Sequence, residues 1–87
     1  MAHYAVSFRR SAEKDLRKLD AAPRRRVLRS IDALVSNPRP VGCRKLYGSE
    51  NAYRIRIGDY RVIYTVDDDV LVVAIERVRH RREVVYR

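Results

Sequence analysis

Arginine on two adjoining strands is what could do chemistry in this chain. Tyr53-Arg54-Ile55-Arg56-Ile57 and Tyr60-Arg61-Val62-Ile63-Tyr64 are alternating runs on either side of Gly58-Asp59, the pattern of a tight β-hairpin. With Gly58 and Asp59 as the loop, Ile57 faces Tyr60, Arg56 faces Arg61 and Ile55 faces Val62. Tyr53, Ile55, Ile57, Tyr60, Val62 and Tyr64 then share an apolar face, and Arg54, Arg56 and Arg61 lie on the other. Like charges directly opposite each other cost roughly 0.2–1 kcal/mol. A bridging anion would offset that cost. Guanidinium forks match phosphate oxygens and keep their charge, so the chemistry implied is phosphate binding and stabilisation of charge building on phosphorus.

Further candidates follow the hairpin. The parity of the next strand depends on the turn at Asp67-Asp68-Asp69. With three loop residues, Ile75 would sit opposite Arg61, and Arg77, Arg79 and Arg81 would alternate onto the arginine face. Such a surface suits a phosphodiester backbone. Arg44, Lys45 and His80 join Arg77 and Arg79 as candidate RNA-binding residues. Histidine is the side-chain type suited to proton transfer near neutral pH, and Tyr86 is either a packing residue or a stacking platform for a base. The single cysteine, Cys43, has no ligand partners at metal spacing, so neither a metal site nor a disulfide framework is expected.

The elements that must position these residues are short. Tyr4, Val6 and Phe8 alternate as a first strand. Ser11 suits the N-cap of a helix to about Leu19, with Ala12, Leu16 and Leu19 as its apolar stripe. Pro23 suits the first turn of a second helix, with Val27, Leu28, Ile31, Leu34 and Val35 inward and Arg24, Arg25, Arg26 and Arg29 outward. Asn37-Pro38-Arg39-Pro40 ends it. Arg44-Lys45-Leu46 reads as a short strand before the hairpin, and Val70 to Ile75, apolar on both faces, as a central strand. The expected class is α+β: two helices from the N-terminal half packed on one face of a small, mostly antiparallel, twisted β-sheet.

Eighty-seven residues allow one modest core, hence a single domain over residues 1–87. Lys+Arg 20 against Asp+Glu 11 gives a net charge of +9, which points to a polyanionic partner. No apolar run approaches a membrane span, and Met1-Ala2-His3-Tyr4 lacks the apolar core of a signal peptide, so a cytoplasmic protein without membrane contact is expected.

Taken together, the hairpin, Val72-Val73-Ala74-Ile75 and His80-Arg81-Arg82-Glu83-Val84-Val85-Tyr86 resemble the RelE branch of the RelE/ParE toxin superfamily. Tyr4-Ala5-Val6-Ser7-Phe8, Ser11 to Leu19 and Arg44-Lys45-Leu46-Tyr47-Gly48 agree with it. The resemblance implies a type II toxin that cuts mRNA in the ribosomal A site, contacts rRNA there, needs no cofactor, and is held inactive in a hetero-oligomer with a cognate RelB-like antitoxin. It also implies catalytic roles for Arg54, Arg56, Arg61, Arg81 and Tyr86, although this chain has one residue more than the family's usual Glu-Val-Tyr ending. Family members use a lysine as proton acceptor where this chain has Arg54. Either Lys45 or His80 substitutes, or Arg54 only positions RNA and the ribosome supplies the activation. The ParE branch, whose members poison DNA gyrase, and a non-enzymatic nucleic-acid-binding module are the competing classes. The full set of strand arginines with a C-terminal arginine and tyrosine separates this chain from the ParE branch.

Overall fold

A computed structural model describes residues 3–83. Five strands form one sheet in the order β1-β5-β4-β3-β2, from β1 (Ala5–Phe8), β2 (Arg44–Lys45), β3 (Ala52–Ile57), β4 (Tyr60–Asp67) and β5 (Val72–His80). Only the β1–β5 pair is parallel. Helices α1 (Arg10–Arg17) and α2 (Ala21–Ala33) lie between β1 and β2 in sequence, and a 3₁₀ turn, Arg81–Glu83, follows β5. The α+β class is as expected. Neither helix is long and apolar enough to cross a membrane.

The core joins the two helices to one face of the sheet. Ala12 and Leu16 of α1, and Val27, Ile31 and Leu34 beside them, are buried against Ile55, Val62, Tyr64, Val66, Val73, Ile75 and Val78. Val27, Ile31 and Leu34 follow the i, i+4, i+7 line of a helix. Leu28 lies one position round from that line and is 38% exposed, contrary to its expected inward place. It lines an open apolar groove together with Val6 and Phe8 instead. Tyr64 is fully buried, and its hydroxyl donates to the Pro38 carbonyl at 2.7 Å, which pins the loop after α2 to the core.

Ser11 is not the N-cap of α1. Arg9 occupies that position without a side-chain capping bond, and Ser11 Oγ donates instead to the Glu76 carbonyl at 2.7 Å. Arg9 Nε pairs with the Glu76 carboxylate at 3.0 Å. Glu76 is the residue that the β4–β5 ladder leaves without a partner: Ile63 pairs with Arg77, but Tyr64 pairs with Ile75. The connection from β1 to α1 therefore holds a β-bulge in place, and bulges re-aim the side chains beyond them.

Candidate nucleic-acid interface

The hairpin forms in the expected register, with Ile57 opposite Tyr60, Arg56 opposite Arg61 and Ile55 opposite Val62. Gly58 has φ +60, while Asp59 has negative φ, as a type II′ turn requires. The turn into β5 is longer than expected. Asp67 pairs with Val72 across four loop residues, and Asp67 Oδ1 accepts the N–H groups of Asp69 and Val70 at 3.0 and 3.2 Å. The residue opposite Arg61 is consequently Arg79, not Ile75. Four loop residues alone would have left Val62 opposite Arg77. The bulge at Glu76 shifts the ladder by one, so Val78 meets Val62 in the core and Arg77 and Arg79 turn to the arginine face.

Paired residues point to the same side of a sheet, so the register defines two arginine rows. One runs Arg44, Arg54, Ile63, Arg77, and the next Arg56, Arg61, Arg79. Arg61, in the middle of its row, is only 9% exposed, whereas Arg56 is exposed. Arg54, Arg61 and Arg79 each have interactions within the protein. Arg77 is drawn to the free edge of β5, where its Nη2 donates to Asp15 Oδ1 at 3.3 Å and its Nε lies 3.1 Å from Oδ2, off the hydrogen-bond axis. Asp15, 7% exposed, also accepts the Val78 N–H at 2.9 Å, an edge donor that β1 is too short to reach. A buried carboxylate so paired holds α1 to the sheet.

Arg56, Arg61 and Arg81 converge at the hairpin tip. With Gly58, Asp59 and Tyr60 they line a cleft of about 190 Å³. Arg81 is brought there by its own backbone, whose N–H donates to the Asp59 carbonyl at 2.7 Å. Its Nε lies 3.7 Å from Asp59 Oδ1, with both side chains about two-thirds exposed, a weak pair in water. Three guanidiniums and the Asp59 carboxylate thus meet at one cleft. Lys45 and His80 are placed elsewhere. Lys45 pairs with Tyr53 on the edge strand, one position out of phase with Arg44 and Arg54. His80 pairs with Tyr60, its ring edge-on to the Tyr60 ring at 5.2 Å, and its Nδ1 accepts the Arg82 N–H at 3.2 Å. Tyr86 lies outside the described residues.

A second cluster, at the far end of β4, has no precursor in the sequence reading. Arg39 grips Asp68 in bidentate fashion, Nη1 to Oδ1 at 3.2 Å and Nη2 to Oδ2 at 2.7 Å. The Tyr4 hydroxyl donates to the same carboxylate at 2.7 Å, and Arg39 Nε donates to the Tyr53 hydroxyl at 2.9 Å. The bonds from Arg39, then Tyr4, hold the Asp68 carboxyl below the usual carboxylate range. Its hydrogen bond to Asp68 raises the Tyr4 phenol, and burial raises that of Tyr64. Among the described residues no group of His, Cys, Asp and Glu is arranged to hold a metal ion.

Comparisons with known proteins fit this geometry. Residues 6–85 match the family of the ParE toxin of type II toxin–antitoxin systems, parDE. The mRNA interferase toxin RelE of Escherichia coli strain K12 is 32% identical over 85 residues, covering 93% of this chain and 88% of that protein. Toxin RelE3 of Methanocaldococcus jannaschii is 30% identical over 83 residues, covering 91% and 92%. The RelE chain of the archaeal RelE–RelB complex from Pyrococcus horikoshii superposes with TM-score 0.82 at 34% identity, covering 94% of this chain and 99% of that one. The chain belongs to the ParE toxin family of type II toxin–antitoxin systems and, within the RelE/ParE superfamily, to its RelE-type members.

Proposed function

We propose that this toxin is a ribosome-dependent mRNA endoribonuclease that cuts within the A site and so inhibits translation. The observation that carries the reading is the convergence of Arg56, Arg61 and Arg81 on one small cleft at the hairpin tip. RNA cleavage of this type proceeds by attack of the 2′-oxygen on the adjacent phosphorus. The P–O5′ bond breaks, the 2′ proton departs, and the 5′ oxygen takes up a proton, leaving a 2′,3′-cyclic phosphate. Guanidiniums stabilise the phosphorane and the departing oxygen by charge and hydrogen bonds, each such donor being worth roughly 10²–10³ in rate. Arg56 and Arg61 face the phosphate, and Arg81, at the mouth of the cleft, faces the leaving oxygen. Arg54, one row further along the strand, positions the RNA.

Among the described residues neither Lys45 nor His80 lines the cleft, and an arginine holds its proton too tightly to serve as a base. We assign the activation of the 2′-hydroxyl to the RNA as the ribosome presents it, which accounts for the dependence on ribosomes and places the protein in the cytoplasm. Tyr86 is assigned to base stacking by resemblance alone. The partner that silences the toxin is an antitoxin bearing acidic or amphipathic segments that complement the +9 charge.

The decisive experiment maps mRNA ends after incubation with translating ribosomes. Cuts inside A-site codons that vanish in Arg61→Ala and Arg81→Ala support the nuclease. A second reading, gyrase poisoning, takes its support from the ParE name of the matching family. Intact mRNA together with gyrase-linked DNA breaks would establish it instead.

A further inference from the structure

Arg24, Arg25, Arg26 and Arg29 of α2 share an expected outward place, and the structure distinguishes among them: Arg24 is half-buried, the other three exposed. Arg24 Nη2 donates to the Leu19 carbonyl at 3.0 Å, which ties it to the entry of its own helix. Arg29 borders the apolar groove at Val6, Phe8 and Leu28. Arg26 crosses to the hairpin. Its Nη2, Cζ and Nη1 lie 2.6, 3.4 and 3.7 Å from where a Cβ on Gly58 would stand. A Cβ there would have to displace the end of that flexible side chain, and the positive φ of Gly58 is what the turn requires of glycine. Gly58 is therefore touched by the Arg26 guanidinium and also lines the cleft of Arg56, Arg61 and Arg81.

We propose that Arg26 is a phosphate-contacting residue of the RNA site, holding the linkage next to the one bound in the hairpin-tip cleft. α2 packs on the core face and the arginine rows occupy the other, so the turn is the place where a cation from each side meets one continuous strand of RNA. Arg56, Arg61 and Arg81 line the cleft that this turn also borders, so a polyanion crossing the tip meets Arg26 next to them. The assignment rests on the proposed nuclease reading and names a contact beyond the scissile phosphate.

The test measures binding of the whole chain to ribosomes programmed with an mRNA whose scissile 2′-hydroxyl is O-methylated, so that it binds without being cut. Arg26→Gln should weaken binding about tenfold, the loss of one charge-assisted contact, and lower the salt slope by about one. Arg26→Lys should recover part of the affinity. Arg25→Gln, also an exposed residue of α2, should change it no more than about twofold. A neutral methylphosphonate is then placed in turn at each linkage flanking the scissile one. At one of them wild type should fall to the level of Arg26→Gln, and Arg26→Gln should lose nothing further. Equal binding of Arg26→Gln and wild type overturns the proposal, as does additivity at both linkages, which would put Arg26 on ribosomal RNA. Binding is read whether or not RNA is cut, so an unmodified message left intact overturns the nuclease reading while Arg26 is still judged by the binding ratios.

Discussion

The two ends of β4 treat arginine in opposite ways. At the end that runs into β5, Arg39 meets Asp68 with two aligned bonds, gives a third to Tyr53, and shares its carboxylate with Tyr4. At the hairpin end, Arg56, Arg61 and Arg81 surround a cleft where the Asp59 carboxylate stands 3.7 Å from Arg81 Nε. The first cluster satisfies its own charge and staples a loop, a turn and two strands. The second gathers three guanidiniums around a cleft open to an added anion. Arginine content alone, 17 residues in this chain, cannot separate the two roles. The geometry of the carboxylates does.

Substitutions at the two ends should therefore have unlike consequences. Arg61→Ala should lower ribosome-dependent cleavage by about 10²–10³-fold. Arg81→Ala should do so with little change in melting temperature, because its side chain is 64% exposed and pairs only loosely. Cleavage at the wild-type rate in Arg81→Ala would remove Arg81 from the site. At the other end the loss should appear in stability. Tyr64→Phe deletes the buried bond to the Pro38 carbonyl, and should cost about 1 kcal/mol. That amounts to roughly 4–8 °C in Tm for a domain of this size, with the activity of the folded fraction unchanged.

The same contrast extends to pH. Asp68 is depressed in the folded state, so its contribution is present above the ordinary carboxylate pKa and is lost as pH falls through its lower folded value. Acid unfolding followed by circular dichroism should be less steep in Asp68→Asn; identical acid limbs would mean that Arg39 and Asp68 contribute no net stability. Tyr64 is raised, so its contribution is intact below about pH 10 and declines above it as the unfolded phenol ionises first. The smallest effect is expected at His80. Packed on Tyr60 away from the cleft, it should leave the pH–rate profile of cleavage unchanged in His80→Gln. A lost acidic limb would make it the base.

What the sequence by itself determined is local. Alternation on both sides of Gly58-Asp59 is enough to set the hairpin register and to put Arg56 opposite Arg61, because a two-residue turn leaves strand pairing no freedom. The helical stripe Val27, Ile31, Leu34 is legible for the same reason, although α2 ends at Ala33, earlier than the expected stop at Asn37-Pro38. Tertiary structure decided the rest, through contacts between residues far apart in the chain. Ser11 looks like a helix cap from its neighbours, yet it holds the Glu76 bulge that sends Arg77 and Arg79 to the arginine face. Asp15 finds Val78, Arg39 finds Asp68, and Arg26 finds Gly58, and no local pattern announces any of these. A turn one residue longer and a bulge of one residue each reverse strand parity, so which arginines face the cleft depends on contacts that only the folded chain makes.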